Sequence, residues 1–361
     1  MWQLDNRTPF AAERAWVRDR DGAEIWLVAV RCAFDIAQDG STAPAAEQPP
    51  VVLAPEFADP AAPVRSSLRH DTDLPRTKCT TDIVLLAEAH APGGALVTSL
   101  EVGFRVGPVS KRLLVTGDRV WQGGQPSEPQ PFVTMPISYE RAWGGLDPAA
   151  QGSANPQWDM RNPAGTGFAS ADTHAEGLRL PNVEYPEQRV RAWSDRPAPA
   201  GFGPLPVHWQ PRLALAGTYD AHWMQERQPL LPEDFDDRHY QCAPVDQQAP
   251  QFLVGGEPVV LINLAPQAQM RFALPRVALA LETFFSDGSY AVHERPLLHT
   301  VVLEPTARRV SLVWHSALPC HPKVNKLTRT RVVCKRQLRL GEDEDEDDDE
   351  GEDAPETALE A

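Results

Sequence analysis

LEVGFRVGPVSKRLLV, residues 100–115, alternates its chemistry along the chain. Leu100, Val102, Phe104 and Val106 fall between Glu101, Gly103 and Arg105, the period of a strand with one face on a core. Gly107-Pro108 breaks the run, and Leu113 and Val115 resume it after the turn. Upstream, DIVLLAEAH (82–90) leads through Pro92-Gly93-Gly94 into the same run. The spacing predicts an antiparallel meander.

The pattern repeats on both sides of this stretch. EIWLVAVRCAFDI (24–36) puts Trp26, Val28, Val30, Cys32, Phe34 and Ile36 on one parity, with Arg31 and Asp35 on the other, as in a strand with one buried face. Residues 41–63 are rich in proline and alanine and read as a surface loop that joins no ladder, because proline lacks the amide donor. Strand-like runs return at 258–264, 270–284, 297–304, 308–315 and 328–340, with Val310, Leu312 and Trp314 sharing one parity. Between about 122 and 206 the periodicity gives way to glycine, proline, asparagine and tryptophan. Ordered turns pinned by buried aromatics are expected there, since a structureless loop of that length is unusual in a compact domain. Residues 213–227 are the helix candidate, with Ala216, Tyr219 and Trp223 at spacings of three and four, though Gly217 weakens it.

The expected fold is therefore mainly β. Two antiparallel sandwich- or barrel-like units are joined by a loop-rich, Trp/Pro/Gly-rich middle with one or two helices. The expected division is an N-terminal β domain over 1–121, an irregular Trp-rich region with a short helix over 122–250, a C-terminal β domain over 251–340 and a disordered acidic tail over 341–361.

Composition narrows the function. Of 361 residues 42% are hydrophobic, enough for a real core, and 36 prolines with 23 glycines argue against long helices. The net charge of -16 is concentrated at one end: residues 341–361 hold 13 of the 50 acids and no base, leaving 37 acids against 34 bases in the body. A general nucleic-acid binder carries a strongly basic domain, so that class loses its support. Cys32, Cys79, Cys242, Cys320 and Cys334 are an odd, scattered set without CxxC spacing, which points to buried free thiols in a reducing compartment. The first residues show no signal-like leader, and nowhere do 18 apolar residues stand together. The expectation is a cytoplasmic protein without a membrane partner.

MPISYERAWGG (135–145) mixes aromatics, an acid, a base and paired glycines, and so poses a choice between a catalytic pocket and a rigid corner. His208, His222 and His239 lie in one segment with Asp220, Glu233, Asp234, Asp236 and Asp237, but without HExxH or HxH spacing. A metal site needs two or three such donors converging with fixed partners, so histidines satisfied by backbone groups are the expected state. No GxSxG or SxxK is present, and NPAGTGF (162–168) lacks the GxxxxGK[ST] pattern of a phosphate cradle. Neither a cofactor nor a metal is expected. The corner is the preferred reading. The tail GEDEDEDDDEGED cannot bury anything by itself. It follows Lys323, Lys326, Arg329, Arg331, Lys335, Arg336 and Arg339, a basic strand face that it could screen until a partner displaces it.

LDNRTPF, APGG, RVGPVSKRLLVTGDRVW, MPISYERAWGG, NPAGTGF, LPNVE and GFGPLPVHWQPR follow one another in this order. Together they resemble, over residues 1–340, a bacterial family of uncharacterised domains implicated as adaptors, or chaperones, of type VI secretion effectors. The resemblance implies a non-enzymatic, cytoplasmic protein that stabilises an effector and helps load it onto the VgrG or PAAR component of the spike. It brings no catalytic residues. The residue types suited to gripping a protein are Asp118, Arg119 and Trp121 of GDRVW, with Tyr139, Glu140, Arg141, Trp143, Gly144 and Gly145 of YERAWGG. Two rivals remain open. One is a carbohydrate-active or other hydrolytic enzyme using the segment 208–239, and the other is a structural part of the secretion machine.

Overall fold

Alternating apolar side chains make strands, and strands with two apolar faces must be covered on both sides. The computed structural model, which describes residues 2–150 and 156–335, is mainly β and meets that requirement with three larger sheets. The longest sheet runs Ala11–Arg18, Glu24–Ile36, Arg309–Pro319, Leu297–Glu304, Asp82–Leu85, with Thr42–Pro44 beside Glu24–Ile36. Only its last pair, Leu297–Glu304 with Asp82–Leu85, is parallel. A five-stranded antiparallel sheet orders Val183–Glu184, Val109–Thr116, Ser99–Val106, Pro258–Ile262 and Gln269–Ala273. A four-stranded sheet orders Gln3–Asn6, Leu327–Cys334, Leu279–Phe285 and Tyr290–His293. One hydrophobic core joins all three, from Val28 and Leu312 through Phe104 and Leu261 to Leu281 and Val332.

Several expectations change with the topology. The hairpin of Ser99–Val106 with Val109–Thr116 is as expected, with Gly107 taking a positive φ of 52° at the turn. The rest of the meander is not formed: Asp82–Leu85 enters the long sheet, and Ala87–His90 pairs with Thr134–Ile137. The expected division into β domains 1–121 and 251–340 also fails in the sheets. All three larger sheets take strands from both ranges, because neither range alone covers its own apolar faces. The run 270–284 divides between two sheets, with Pro275 between Gln269–Ala273 and Leu279–Phe285 supplying no donor to continue the first ladder.

Glu24–Ile36 is buried on both faces. Arg31, only 3% exposed, is tolerated there because Asp73 lies 2.9 Å away on a segment that returns across the sheet. The loop 41–63 does contribute to a ladder, since Thr42–Pro44 pairs with Phe34–Ile36 at the strand's end, where a proline costs least. Gln48 continues that pairing with its side chain, accepting from Ala33 N at 2.8 Å and donating to Ala33 O at 2.9 Å. The helix expected over 213–227 breaks into a 3-10 turn at Arg212–Leu215 and a π turn at Trp223–Arg227, with Gly217 at φ 80° between them.

All five cysteines are free, but only Cys32, Cys242 and Cys320 are buried, while Cys79 and Cys334 are exposed. The basic strand face is largely neutralised from within: Lys326 pairs with Asp287, Arg331 with Asp5 and Glu282, and Lys335 with Glu294. Among the described residues of that group Lys323 and Arg329 have no ion pair. Arg336, Arg339 and the tail 341–361, with the disorder expected of it, lie outside the described residues. No helix among the described residues is long and apolar enough to cross a membrane.

Candidate functional site

YERAWGG begins where Thr134–Ile137 ends. Tyr139–Arg141 makes one 3-10 turn, and Trp143-Gly144 then pairs in parallel with Thr166-Gly167 of NPAGTGF. The Tyr139 ring meets Trp209 edge-on with centroids 5.7 Å apart, and its hydroxyl donates to Gly203 O at 3.3 Å. Any side chain at Gly201 would meet that ring at 2.7 Å. The buried Asn162 amide donates to Tyr139 O at 2.7 Å and Trp143 O at 2.9 Å, tying both ends of the turn to one side chain.

Trp143, 1% exposed, donates its indole N–H to Asp159 Oδ2 at 3.0 Å. Burial pushes the Asp159 carboxyl up, but hydrogen bonds from Arg161 and Trp143 outweigh it and hold the pKa below the ordinary value. Gly144 and Gly145 sit at φ 143° and 95°, where a Cβ would come within 2.2 Å of Asn162 O and Gly165 O respectively. This is a rigid corner. Trp121, Tyr139 and Trp143 are all buried, so the expectation that they grip a partner is corrected: they fill the corner's interior, as do Gly144 and Gly145.

The polar members of the expected patch behave differently. Asp118, Arg119, Glu140 and Arg141 line one open cleft of about 440 Å³ with Arg179 and Asn182. Arg119 is buried against Glu184 Oε2 and Pro181 O, each at 2.8 Å, and its Nε has no partner. Arg141 Nη1 reaches Asn182 Oδ1 at 3.0 Å and Asp118 Oδ1 at 3.4 Å. Glu140 accepts from Ser67 N at 2.8 Å and Ser67 Oγ at 2.7 Å, which ties the turn to a segment 73 residues away. Sequence reasoning missed Ser67, Arg179, Asn182 and Glu184. Asn182 and Glu184 sit in LPNVE, whose motif was legible, but only the pairing of Val115 with Val183 reveals their place.

The histidine- and acid-rich segment does not converge. His208 contacts Val64 O, His239 contacts Arg212 O at 2.9 Å, and His222 is exposed. The acids hold local structure: Asp220 caps Trp223 N, Asp234 accepts from Thr218, and Asp236 and Asp237 pair with Arg238 and Arg76. Among the described residues no three His, Cys, Asp or Glu side chains are grouped as a metal ion requires. Ser170, His174 and Asp147 do meet elsewhere, but the same ring nitrogen, His174 Nδ1, faces both Ser170 Oγ at 3.4 Å and Asp147 Oδ2 at 3.1 Å, and Ser170 Oγ also bonds Asp147 Oδ2. A nucleophile and its base would stand in series, so this geometry orders a turn instead.

Residues 21–315 match the model of a family described as "Uncharacterized protein conserved in bacteria (DUF2169)". The chain belongs to this family. The match spans the corner and the whole cleft lining, from Asp118 to Asn182, so both are features of the DUF2169 portion of the chain. The comparisons with curated proteins and with solved structures returned no match.

Proposed function

We propose that this DUF2169 protein is an adaptor, or chaperone, that binds and stabilises a type VI secretion effector in the cytoplasm and helps load it onto the VgrG or PAAR spike. One observation supports the binding role. The side chains of the corner that reach the surface, Asp118, Glu140 and Arg141, converge on one open cleft beside a cluster of buried aromatics. A platform that is stiff before it meets its partner loses little entropy on binding. The choice of a type VI secretion effector as the partner rests on the resemblance of the ordered motifs alone.

Co-expression with effectors encoded beside the chain is the test. The wild type should raise effector solubility and secretion, while Arg141→Glu should abolish both. Arg141 is over a third exposed in its pair with Asp118, so losing that pair costs folding about 1 kcal/mol or less, and a urea melt of the variant checks that it is folded. Effectors that stay equally soluble and equally secreted without the chain would refute the proposal.

A further inference from the structure

The four-stranded sheet packs only one of its faces on the core. Leu281, Thr283, Thr330 and Val332 point inward and are at most 4% exposed, while the alternate residues of the same strands face solvent. On the edge strand Tyr290 is 68% exposed and Val292 46%. Beside them the Arg329 guanidinium lies 4.9 Å over the Phe284 ring and that of Arg331 5.6 Å, and Lys323 stands 5.9 Å from the Phe285 ring. Cations held on ring faces are in place before any anion meets them.

Charge on this face does not balance. Asp5 pairs with Arg7, Glu282 with Arg331, Asp287 with Lys326 and Glu294 with Lys335. Each of these acids is matched by one cation, and Lys323 and Arg329 are in excess, with no carboxylate partner among the described residues. The pairs are partly exposed and individually weak, so other carboxylates compete for the same cations.

The chain itself supplies a segment of opposite charge. Leu327–Cys334 is an inner strand of this sheet, and the sequence runs on from Lys335 to GEDEDEDDDEGED, residues 341–353, which holds 11 acids and no base. Arg329 lies six residues back along the strand from Lys335, about 20 Å. The seven steps from Lys335 to Glu342 span up to about 25 Å, so the acidic run reaches the whole face. A tether this short keeps the run at a local concentration of the order of mM, and the attraction acts within about 8 Å at physiological salt.

We infer that the acidic run 342–353 docks on the outer face of this sheet, across Arg329 and Lys323, and holds that face against other acidic segments. The inference stands apart from the adaptor reading, because it is decided on the purified chain alone.

The experiment compares the full chain with a full-length variant whose acids from 342 to 353 are replaced by glutamine and asparagine. The probe is a fluorescein-labelled peptide of the run itself, followed by fluorescence anisotropy. It should bind the neutral-tail variant about tenfold or more tightly than the wild type, because the attached run competes at its local concentration, and binding should fall as salt is added. In the neutral-tail variant Arg329→Glu and Lys323→Glu should each weaken the probe severalfold. Arg271→Glu, on the exposed edge strand of the five-stranded sheet, should have little effect. A urea melt checks that each variant is folded. In the wild-type chain the amide NMR signals of residues 342–353 should shift with Arg329→Glu and stay put with Arg271→Glu, which separates docking from mere repulsion of the probe. Equal probe binding by wild type and neutral-tail variant, no binding up to millimolar concentration, equal effects of Arg329→Glu and Arg271→Glu, or tail signals indifferent to Arg329→Glu overturns the inference. A wild-type chain found as a dimer that Arg329→Glu dissolves gives the face to a second copy and overturns it likewise.

Discussion

Replacing Trp143 by phenylalanine separates a corner from a contact surface. The indole is 1% exposed and its N–H, 3.0 Å from Asp159 Oδ2, is one of the bonds that keep a buried carboxylate satisfied. Losing that hydrogen bond to a charged group costs about 1–3 kcal/mol, although Arg161 still holds both carboxylate oxygens. The smaller ring removes a further ~1–2 kcal/mol of buried apolar contact and leaves a partial void beside Phe168. The total, about 2–5 kcal/mol, should lower the thermal midpoint by roughly 4–10 °C in a chain of this size. The penalty has a pH signature as well. Asp159 has a depressed pKa in the fold, so its contribution is present above the unfolded carboxylate pKa and is lost as pH falls through the folded one. The difference between wild type and Trp143→Phe should therefore narrow below about pH 4. Urea unfolding followed by circular dichroism, with an unchanged m-value, is the assay. A change under 0.5 kcal/mol at pH 7, or normal stability with lost partner binding, would refute the corner and return Trp143 to the interface.

Three other outcomes follow from buried groups. Burial, with Arg31 and Arg69, pushes His70 down to about 4, and burial, with Lys78 and His293, pushes His315 down to about 3. Both bind protons more readily when unfolded, so stability is complete above pH ~6.5 and is lost as pH falls toward those values, by ~4 kcal/mol at pH 5 for the two together. His315→Gln should flatten the slope, and an unchanged slope would rule out that histidine's part. Gly145→Ala should cost about 2–4 kcal/mol in urea midpoint terms, since it needs φ 95° and a Cβ 2.2 Å from Gly165 O; a neutral result would mean that the turn can relax. Titration of the native protein with a thiol reagent should modify Cys79 and Cys334 first, with Cys32, Cys242 and Cys320 reacting only on unfolding; five equal rates would contradict the burial pattern.

The sequence by itself determined the strands. Glu24–Ile36, the Gly107 hairpin and Leu297–Glu304 are where the two-residue period places them, because that period is a property of each segment alone. It also determined that the glycine- and tryptophan-rich middle is ordered around aromatics, and that YERAWGG is a corner. Partners distant in sequence were decided only by the tertiary structure. A buried Arg31 makes sense only with Asp73 beside it, and the cleft exists only because Arg179 and Asn182 come to the corner, where Glu184 holds Arg119 and Ser67 holds Glu140. Alternation shows which faces must be covered and is silent on what covers them. Strands from the two ends of the chain therefore share sheets, and the aromatics suited to gripping a partner turned inward to hold the platform instead.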